Sequence, residues 1–174
     1  MNHLKVYITH FLLNDTNFII ASNASDVIYL ANDDTMEYLN RHIERFYSEA
    51  VKITGYEADQ LNAHFIEDLR LYFKGELKQF NWPLNLAGTD FQKKIWSSLC
   101  NIPYGKAVTY SEIALLSGNK QAVRAVGGAV GANPVMIVVP CHRVLGKNGE
   151  LTGFSGGLDM KRTLLAIENI KYIK

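Results

Sequence analysis

Two Thr-x-x-Gln/Glu signatures limit this chain more than any other feature. In Thr89-x-x-Gln92 and Thr109-x-x-Glu112 the threonine side chain accepts the N–H three residues on. The Gln or Glu side chain returns to the threonine N–H, so each capping box sets where a helix begins. The first helix carries Phe91, Ile95 and Leu99 on one face. The second is short, running through Leu116, and Gly118 is suited to end it in a left-handed conformation. Asn119 then caps a further helix to about Val130. Two short helices joined by a Gly-containing turn are the helix-turn-helix pattern. The second of them is nearly bare, with Ala122, Ala125, Gly127, Gly128 and Ala129 around a projecting Arg124. Each interior glycine costs about 1 kcal/mol relative to alanine. Something must therefore approach closely, and a packed helix and a DNA backbone both qualify.

The preceding residues follow a different grammar. Leu4, Val6 and Ile8 alternate, and Phe18-Ile19-Ile20 and Val27-Ile28-Tyr29-Leu30 are short apolar runs divided by Ser22-Asn23-Ala24-Ser25. These predict hairpin-linked strands. Met36, Leu39, Ile43 and Phe46 then share a helical face, with Asn32, Asp33 and Asp34 available as caps. Leu61, Phe65, Leu69 and Tyr72 form a second stripe. Nothing in residues 1–75 offers chemistry, and His42 and His64 read as surface or packing residues. Phe80-Asn81-Trp82-Pro83-Leu84 reads as a linker, because Pro83 disfavours helix at Trp82. The expected fold is α+β. A small N-terminal α/β sheet domain (residues 1–80) precedes a mainly helical C-terminal domain (residues 86–174) with a winged helix-turn-helix-like motif.

The chain has 174 residues, 48% of them hydrophobic, enough for a real core. No apolar run is long enough for a bilayer, and the N-terminus lacks the layout of a secretory signal. The expectation is a cytoplasmic protein with no membrane partner. Cys100 and Cys141 are too few for a disulfide framework and wrongly spaced for a thiolate-rich zinc site. The net charge of +1 conceals an asymmetry. Residues 1–80 carry 7 Lys/Arg against 12 Asp/Glu, and residues 81–174 carry 11 against 5. A polyanion would meet the second half.

After the Asn133-Pro134 turn, Val135-Met136-Ile137-Val138-Val139 predicts a buried strand ending at Pro140-Cys141-His142-Arg143-Val144. Asn148-Gly149, between Leu145 and Leu151, predicts a hairpin. A glycine-rich loop, residues 153–157, leads into a last helix from about Leu158, with Leu164, Leu165, Ile167 and Glu168. A nucleophilic cysteine needs its thiolate, which nearby basic groups promote. Cys141 has His142 and Arg143 beside it, and Glu168 is a candidate to orient the histidine. Strand neighbours point to opposite faces. His142 therefore serves Cys141 only if the chain turns there or a water bridges them. From the dipeptide alone, an inert buried cysteine beside a structural histidine stays open. Cys100 has no such neighbours and is expected in the core.

These residues closely resemble the signature of the O6-alkylguanine-DNA alkyltransferases (methylated-DNA–protein-cysteine methyltransferases). The likeness extends through Gly88-Thr89-x-Phe91-Gln92, Ile102-Pro103-x-Gly105, Thr109-Tyr110, Arg124-Ala125-Val126-Gly127-Gly128-Ala129 and Gly156-Gly157-Leu158, covering about residues 86–170. It implies direct-reversal DNA repair. A base is flipped from double-stranded DNA, and Cys141 takes the alkyl group from O6-alkylguanine in one irreversible turnover. O4-alkylthymine is a second candidate substrate. The protein would be a monomer needing no cofactor or metal. His142 would take the thiol proton through water, with Glu168 orienting it. Tyr110 would rotate the target phosphate and donate a proton toward the leaving guanine, and Asn133 would tie down the turn presenting Cys141. The resemblance places Thr109, Tyr110, Arg124, Ala125 and Gly127 on DNA, with Arg124 filling the gap in the stack. Arg143, Val144, Phe154 and Ser155 are placed at the base pocket, the Val144 carbonyl reading the exocyclic amine and Ser155 contacting O6.

The chain departs from the family in three places. Phe154 stands where many relatives carry Tyr. Gly131 stands where some carry a basic residue. No cysteine precedes Cys100, so the N-terminal zinc site of some members has no counterpart. Three other readings compete. A damage-binding module without chemistry would lack Cys141. A Cys-His hydrolase leaves the Arg124 helix unexplained. A transcriptional regulator would expect base-reading side chains where Gln121 to Ala129 has few.

Overall fold

Asn14 and Asp15 both take positive φ, 48° and 58°, the backbone of a two-residue hairpin turn whose twist suits antiparallel strands. They join β1 (Lys5–Leu13) to β2 (Thr16–Asn23), and a second tight turn leads to β3 (Asp26–Ala31). The computed structural model describes residues 4–32 and 36–174. Helix α1 (Glu37–Phe46) is followed by β4 (Val51–Ile53), which lies parallel to β1 and completes a sheet of order β3-β2-β1-β4. Helix α2 (Tyr56–Phe73) packs on β1 and β2.

Both sheet faces are covered, which explains why the strand sequences are continuous apolar runs. Val6, Ile8, Ile19, Ala21 and Ile28 pack with Leu39 and Ile43 of α1. Phe18, Ile20, Val27 and Leu30 join Phe65, Leu69 and Tyr72 of α2 in the main core. Asn62, fully buried on α2, accepts from Ser22 Oγ (2.6 Å) and donates to the Tyr7 carbonyl (3.2 Å) and Thr9 Oγ1 (3.1 Å). It pins the helix to the sheet.

The segment after α2 is anchored along its length. Trp82 packs edge-on against Phe65 and Phe80 and donates to Asp68 (2.8 Å). Val27 donates to the Pro83 carbonyl and accepts from Asn85. The edge strand β3 also receives residues 134–136. Leu30 N–H donates to the Pro134 carbonyl (2.8 Å), and Met136 N–H to the Leu30 carbonyl (3.0 Å).

Helices α3 (Asp90–Cys100) and α4 (Tyr110–Leu116) begin at the two capping boxes, with both reciprocal bonds formed in each. Residues β5 (Val108–Thr109) and β6 (Val144–Leu145) form a short parallel pair. Gly118 has φ 86°. Its N–H reaches the Leu115 carbonyl and the Asn119 N–H reaches Ala114, the two bonds of a Schellman stop. Helix α5 (Val123–Gly131) packs on α3 and α4, and α6 (Leu158–Ile167) closes the chain. Among the described residues no helix is long and apolar enough to cross a membrane.

Several local expectations are corrected. Residues 135–139 are not a strand: only Val135 pairs, with Leu30, and Val139 N–H then returns to the Val135 carbonyl in a buried turn. The segment is apolar because it is buried, and a single bridging position leaves no ladder to extend. Asn148-Gly149 does turn the chain, closed by Gly146 N–H on the Glu150 carbonyl. Its flanks pair elsewhere, β6 with β5 and Glu150 with Ile173, so no hairpin forms. Asn119 caps only the Gln121 N–H, and α5 starts a turn later, after Ala122. Phe91 is exposed while Trp96 takes its expected place beside Ile95 and Leu99. Cys100, expected in the core, is exposed, because Leu99 holds the inward position in the last turn of α3. Asn32 caps no helix: α1 follows Met36, and Asp33 and Asp34 lie outside the described residues.

Asn62→Leu should destabilise the protein by about 2–3 kcal/mol in urea denaturation, by stranding Ser22, Thr9 and the Tyr7 carbonyl.

Candidate active site

Asn133 builds the turn that presents Cys141. Its Oδ1 accepts from Val135 N–H (3.0 Å), and its Nδ2 donates to the Val139 carbonyl (2.8 Å) and to Cys141 Sγ (3.1 Å). Between these anchors Ile137 is held at φ 71°. That conformation is strained for a β-branched residue. Cys141 then opens a 3₁₀ turn, Cys141–Arg143, so His142 does not point away as it would on a strand.

The thiol is 2% exposed. Burial pushes its pKa up to about 11, against the pull of the Asn133 amide, the Lys161 charge and the backbone N–H groups of Cys141 and His142. The resting group is a thiol, so a nucleophilic role would require a base. The neighbouring His142 is fully buried, and burial lowers its pKa despite the adjacent Glu168 carboxylate. Its Nε2 lies 2.8 Å from Glu168 Oε1. Its Nδ1 has no hydrogen-bond partner among the described residues. A neutral imidazole facing a carboxylate carries its proton on Nε2, which leaves the Nδ1 lone pair free to accept one.

Glu168 closes α6 and is 2% exposed. Oε1 accepts from Tyr72 Oη (2.6 Å), His142 Nε2 (2.8 Å) and Arg143 Nη2 (3.0 Å). Oε2 accepts from Arg143 Nε (2.8 Å) and the Gly105 N–H (3.0 Å). Burial alone would raise this carboxyl, but hydrogen bonds from His142 and Arg143, the charge that His142 takes on in acid and the Tyr72 hydroxyl hold it down at about 2.

A cavity of about 740 Å³ opens beside the thiol, lined by Tyr110, Gly127, Cys141, Thr152, Phe154 and Ser155. Gly156 closes its loop against the N-terminal sheet. Its carbonyl accepts from Asn32 Nδ2 (2.8 Å), and a Cβ there would come within 2.5 Å of Asn32 Oδ1. Tyr110 Oη faces the Gly153 carbonyl at 3.5 Å. Burial raises its pKa, so the phenol stays protonated. The surface of α5 next to the cavity shows Arg124, Ala125 and Gly128 exposed. A Cβ on Gly128 would meet nothing within 4 Å, and one on Gly127 only Tyr110 at 4.0 Å. Close packing inside the protein therefore does not require these glycines.

Of the residues expected at the site, Cys141, Tyr110, Phe154 and Ser155 meet at the cavity, with Asn133 and the His142–Glu168 pair behind the thiol. Arg143 does not line the cavity. Its guanidinium is held by Glu168 and the Ile102 carbonyl (2.6 Å). The Val144 side chain is fully buried and its carbonyl accepts from Lys161 Nζ (2.7 Å). The Thr109 hydroxyl is engaged in its capping box.

Two residues escaped the sequence reading. Tyr72 looked like one more core position on α2. Lys161 is fully buried, with burial lowering its pKa to about 8, and it also donates to the Thr152 carbonyl (3.1 Å). One signal was available for it: Lys161, Leu164, Leu165 and Glu168 fall at helical spacing on one face.

Glu168 titrates near 2 in the folded chain against an ordinary 4.5. Its stabilising contribution is therefore complete above about pH 4.5 and is lost as pH falls through 2. Unfolding free energies measured across this window should fall in the parent protein, and Glu168→Gln should flatten that fall.

The chain's similarities agree with this geometry. Residues 90–170 match the family model described as 6-O-methylguanine DNA methyltransferase, DNA binding domain. Over 172 residues the chain is 41% identical to the inducible methylated-DNA–protein-cysteine methyltransferase of Bacillus subtilis, covering 96% of this chain and 92% of that one. The crystal structure of the Mycobacterium tuberculosis O6-methylguanine methyltransferase superposes with a TM-score of 0.78 at 37% identity, covering 94% of this chain and 92% of that one. The M. tuberculosis OGT in complex with DNA gives 0.76 at 34%, covering 95% and 92%. The chain belongs to the methylated-DNA–protein-cysteine methyltransferase family.

Proposed function

We propose that this protein repairs O6-alkylguanine in double-stranded DNA by moving the alkyl group onto Cys141 in a single irreversible turn. The observation that carries the reading is a buried thiol at the wall of a base-sized cavity, backed by a histidine whose free nitrogen is Nδ1. Ligand pockets commonly span about 300–1,000 Å³. An O6 atom inside a duplex is out of reach, so the nucleotide is extruded into this cavity. The bare surface of α5 lies against the DNA, and Arg124 fills the space the base leaves.

In the pocket the Cys141 proton passes through water to His142 Nδ1. Sulfur attacks the alkyl carbon, the carbon–O6 bond breaks, and a thioether forms. The guanine leaves with the bonding electrons and takes a proton from Tyr110. Lys161 stabilises the developing thiolate by its charge, and Asn133 donates to it. Ser155 contacts O6, and the Val144 carbonyl keeps a second lone pair for the exocyclic amine. A thioether has no ready leaving reaction, so the protein acts once. An O4-alkylthymine is smaller and fits the same space. Within this reading residues 1–80 and 86–174 are two domains of one monomer, and the second carries the chemistry.

Intact-protein mass after mixing with a duplex holding one O6-methylguanine should rise by one methylene, mapped to Cys141 and missing in Cys141→Ala. Binding without mass gain would leave a damage sensor. Gly128→Ala should be as stable as the parent, or more stable by up to about 1 kcal/mol, yet bind the lesion duplex several-fold more weakly in a titration.

A further inference from the structure

We propose that Tyr72 is a positioning residue for alkyl transfer: its hydroxyl, carried by α2 of the N-terminal sheet layer, anchors Glu168 and fixes the proton of His142 on Nε2. This rests on the transfer reading above. Tyr72 is fully buried and sits outside the cavity, so it touches neither base nor thiol. Its Oη lies 2.6 Å from Glu168 Oε1 and 3.3 Å from His142 Nε2.

A phenol has one proton to donate. Burial and the Glu168 charge push the Tyr72 pKa far above the usual range, so the hydroxyl remains a donor. That donor is committed to Oε1, the nearer and anionic acceptor, which turns the oxygen lone pairs toward Nε2. Two acceptors, Oε1 and Oη, then flank Nε2, and only Nε2–H satisfies both. The Nδ1 lone pair is thereby reserved for the thiol proton. The Tyr72 donor also draws charge from the oxygen that His142 faces, so the carboxylate orients the imidazole without holding it as imidazolium.

The other charged and titratable groups around this pair come from every packed element. They are Tyr104 after α3, Arg143 and Cys141 in the 3₁₀ turn, and Lys161 on α6, with Cys100 facing Arg143 from the end of α3. Arg143 and Lys161 oppose protonation of His142, whereas Glu168 favours it.

Tyr72→Phe removes only the hydroxyl and keeps the ring packed against Phe73, Phe80 and Tyr104. Single-turnover methyl transfer should be followed from pH 5.5 to 9 in both proteins, beside lesion-duplex affinity. Without the hydroxyl, His142 should protonate at higher pH. A midpoint about one unit higher makes transfer about tenfold slower below it. Glu168 Oε1 still faces Nε2 in the variant, so the alkaline plateau stays within about twofold and DNA affinity is unchanged. An equal loss at every pH, or no loss, overturns the proposal. Imidazole ¹⁵N shifts of His142 in the parent protein give a second test that needs no variant. A protonated Nε2 beside an unprotonated Nδ1 supports the proposal, and the reverse tautomer overturns it even if Tyr72→Phe fails to fold. A parent protein that transfers nothing sinks the repair reading instead, while the ¹⁵N shifts still report whether the tautomer is fixed.

Discussion

A carboxylate taken out of water must be answered by donors, or the fold loses more than it gains from burying it. Glu168 imposes that condition on most of the molecule. Its two oxygens accept five hydrogen bonds, from α2, the turn at Gly105 and the 3₁₀ turn. It also sits at the C-terminus of α6, where the helix dipole disfavours negative charge, so the bidentate Arg143 is needed there. The N-terminal sheet holds α2, and α2 delivers Tyr72. The edge of the same sheet receives the segment that presents Cys141. The N-terminal half is therefore part of the scaffold of the candidate site, although none of its described side chains lines the cavity beside Cys141.

The thiol illustrates a related economy. An exposed, permanently ionised cysteine would be open to stray oxidation. Burial here keeps Cys141 protonated, while a lysine charge and an amide donor favour its ionised form. The donors to sulfur and to the Val144 carbonyl are locked by their own partners, which holds the constellation in place before any substrate arrives. The turn that makes this possible contains a strained Ile137, at a point where Asn133 closes the backbone from inside.

Helix α5 is a contrast. Its interior glycines, Gly127 and Gly128, relieve no crowding within the protein, and they cost helix stability. What they leave is a smooth ridge with a single long cation, Arg124, and a surface of that kind is accounted for by a partner that comes close.

Local physics was legible in the chain alone. Both capping boxes, the Gly118 stop, the helical stripe of α2, that of α1 from Leu39 on (Met36 lies before the helix) and the apolar runs of β2 and β3 rest on neighbours a few residues apart, and they formed where their residue types said they would. Cys141, His142 and Glu168 were also nameable as candidates, though only because the Pro140-Cys141-His142-Arg143-Val144 run resembles a family signature; the dipeptide alone left an inert cysteine open. The tertiary structure alone decided what depends on partners far along the chain. Residues 135–139 are as apolar as a strand, but one bridge to Leu30 and the Asn133 side chain make them a turn. Arg143 was read toward the pocket, and a buried charge elsewhere turned it inward. Tyr72 looked like one more core position and Lys161 drew no notice, since a sequence shows that a polar group exists but not which buried atom, 96 residues away in the case of Tyr72 and Glu168, will satisfy it.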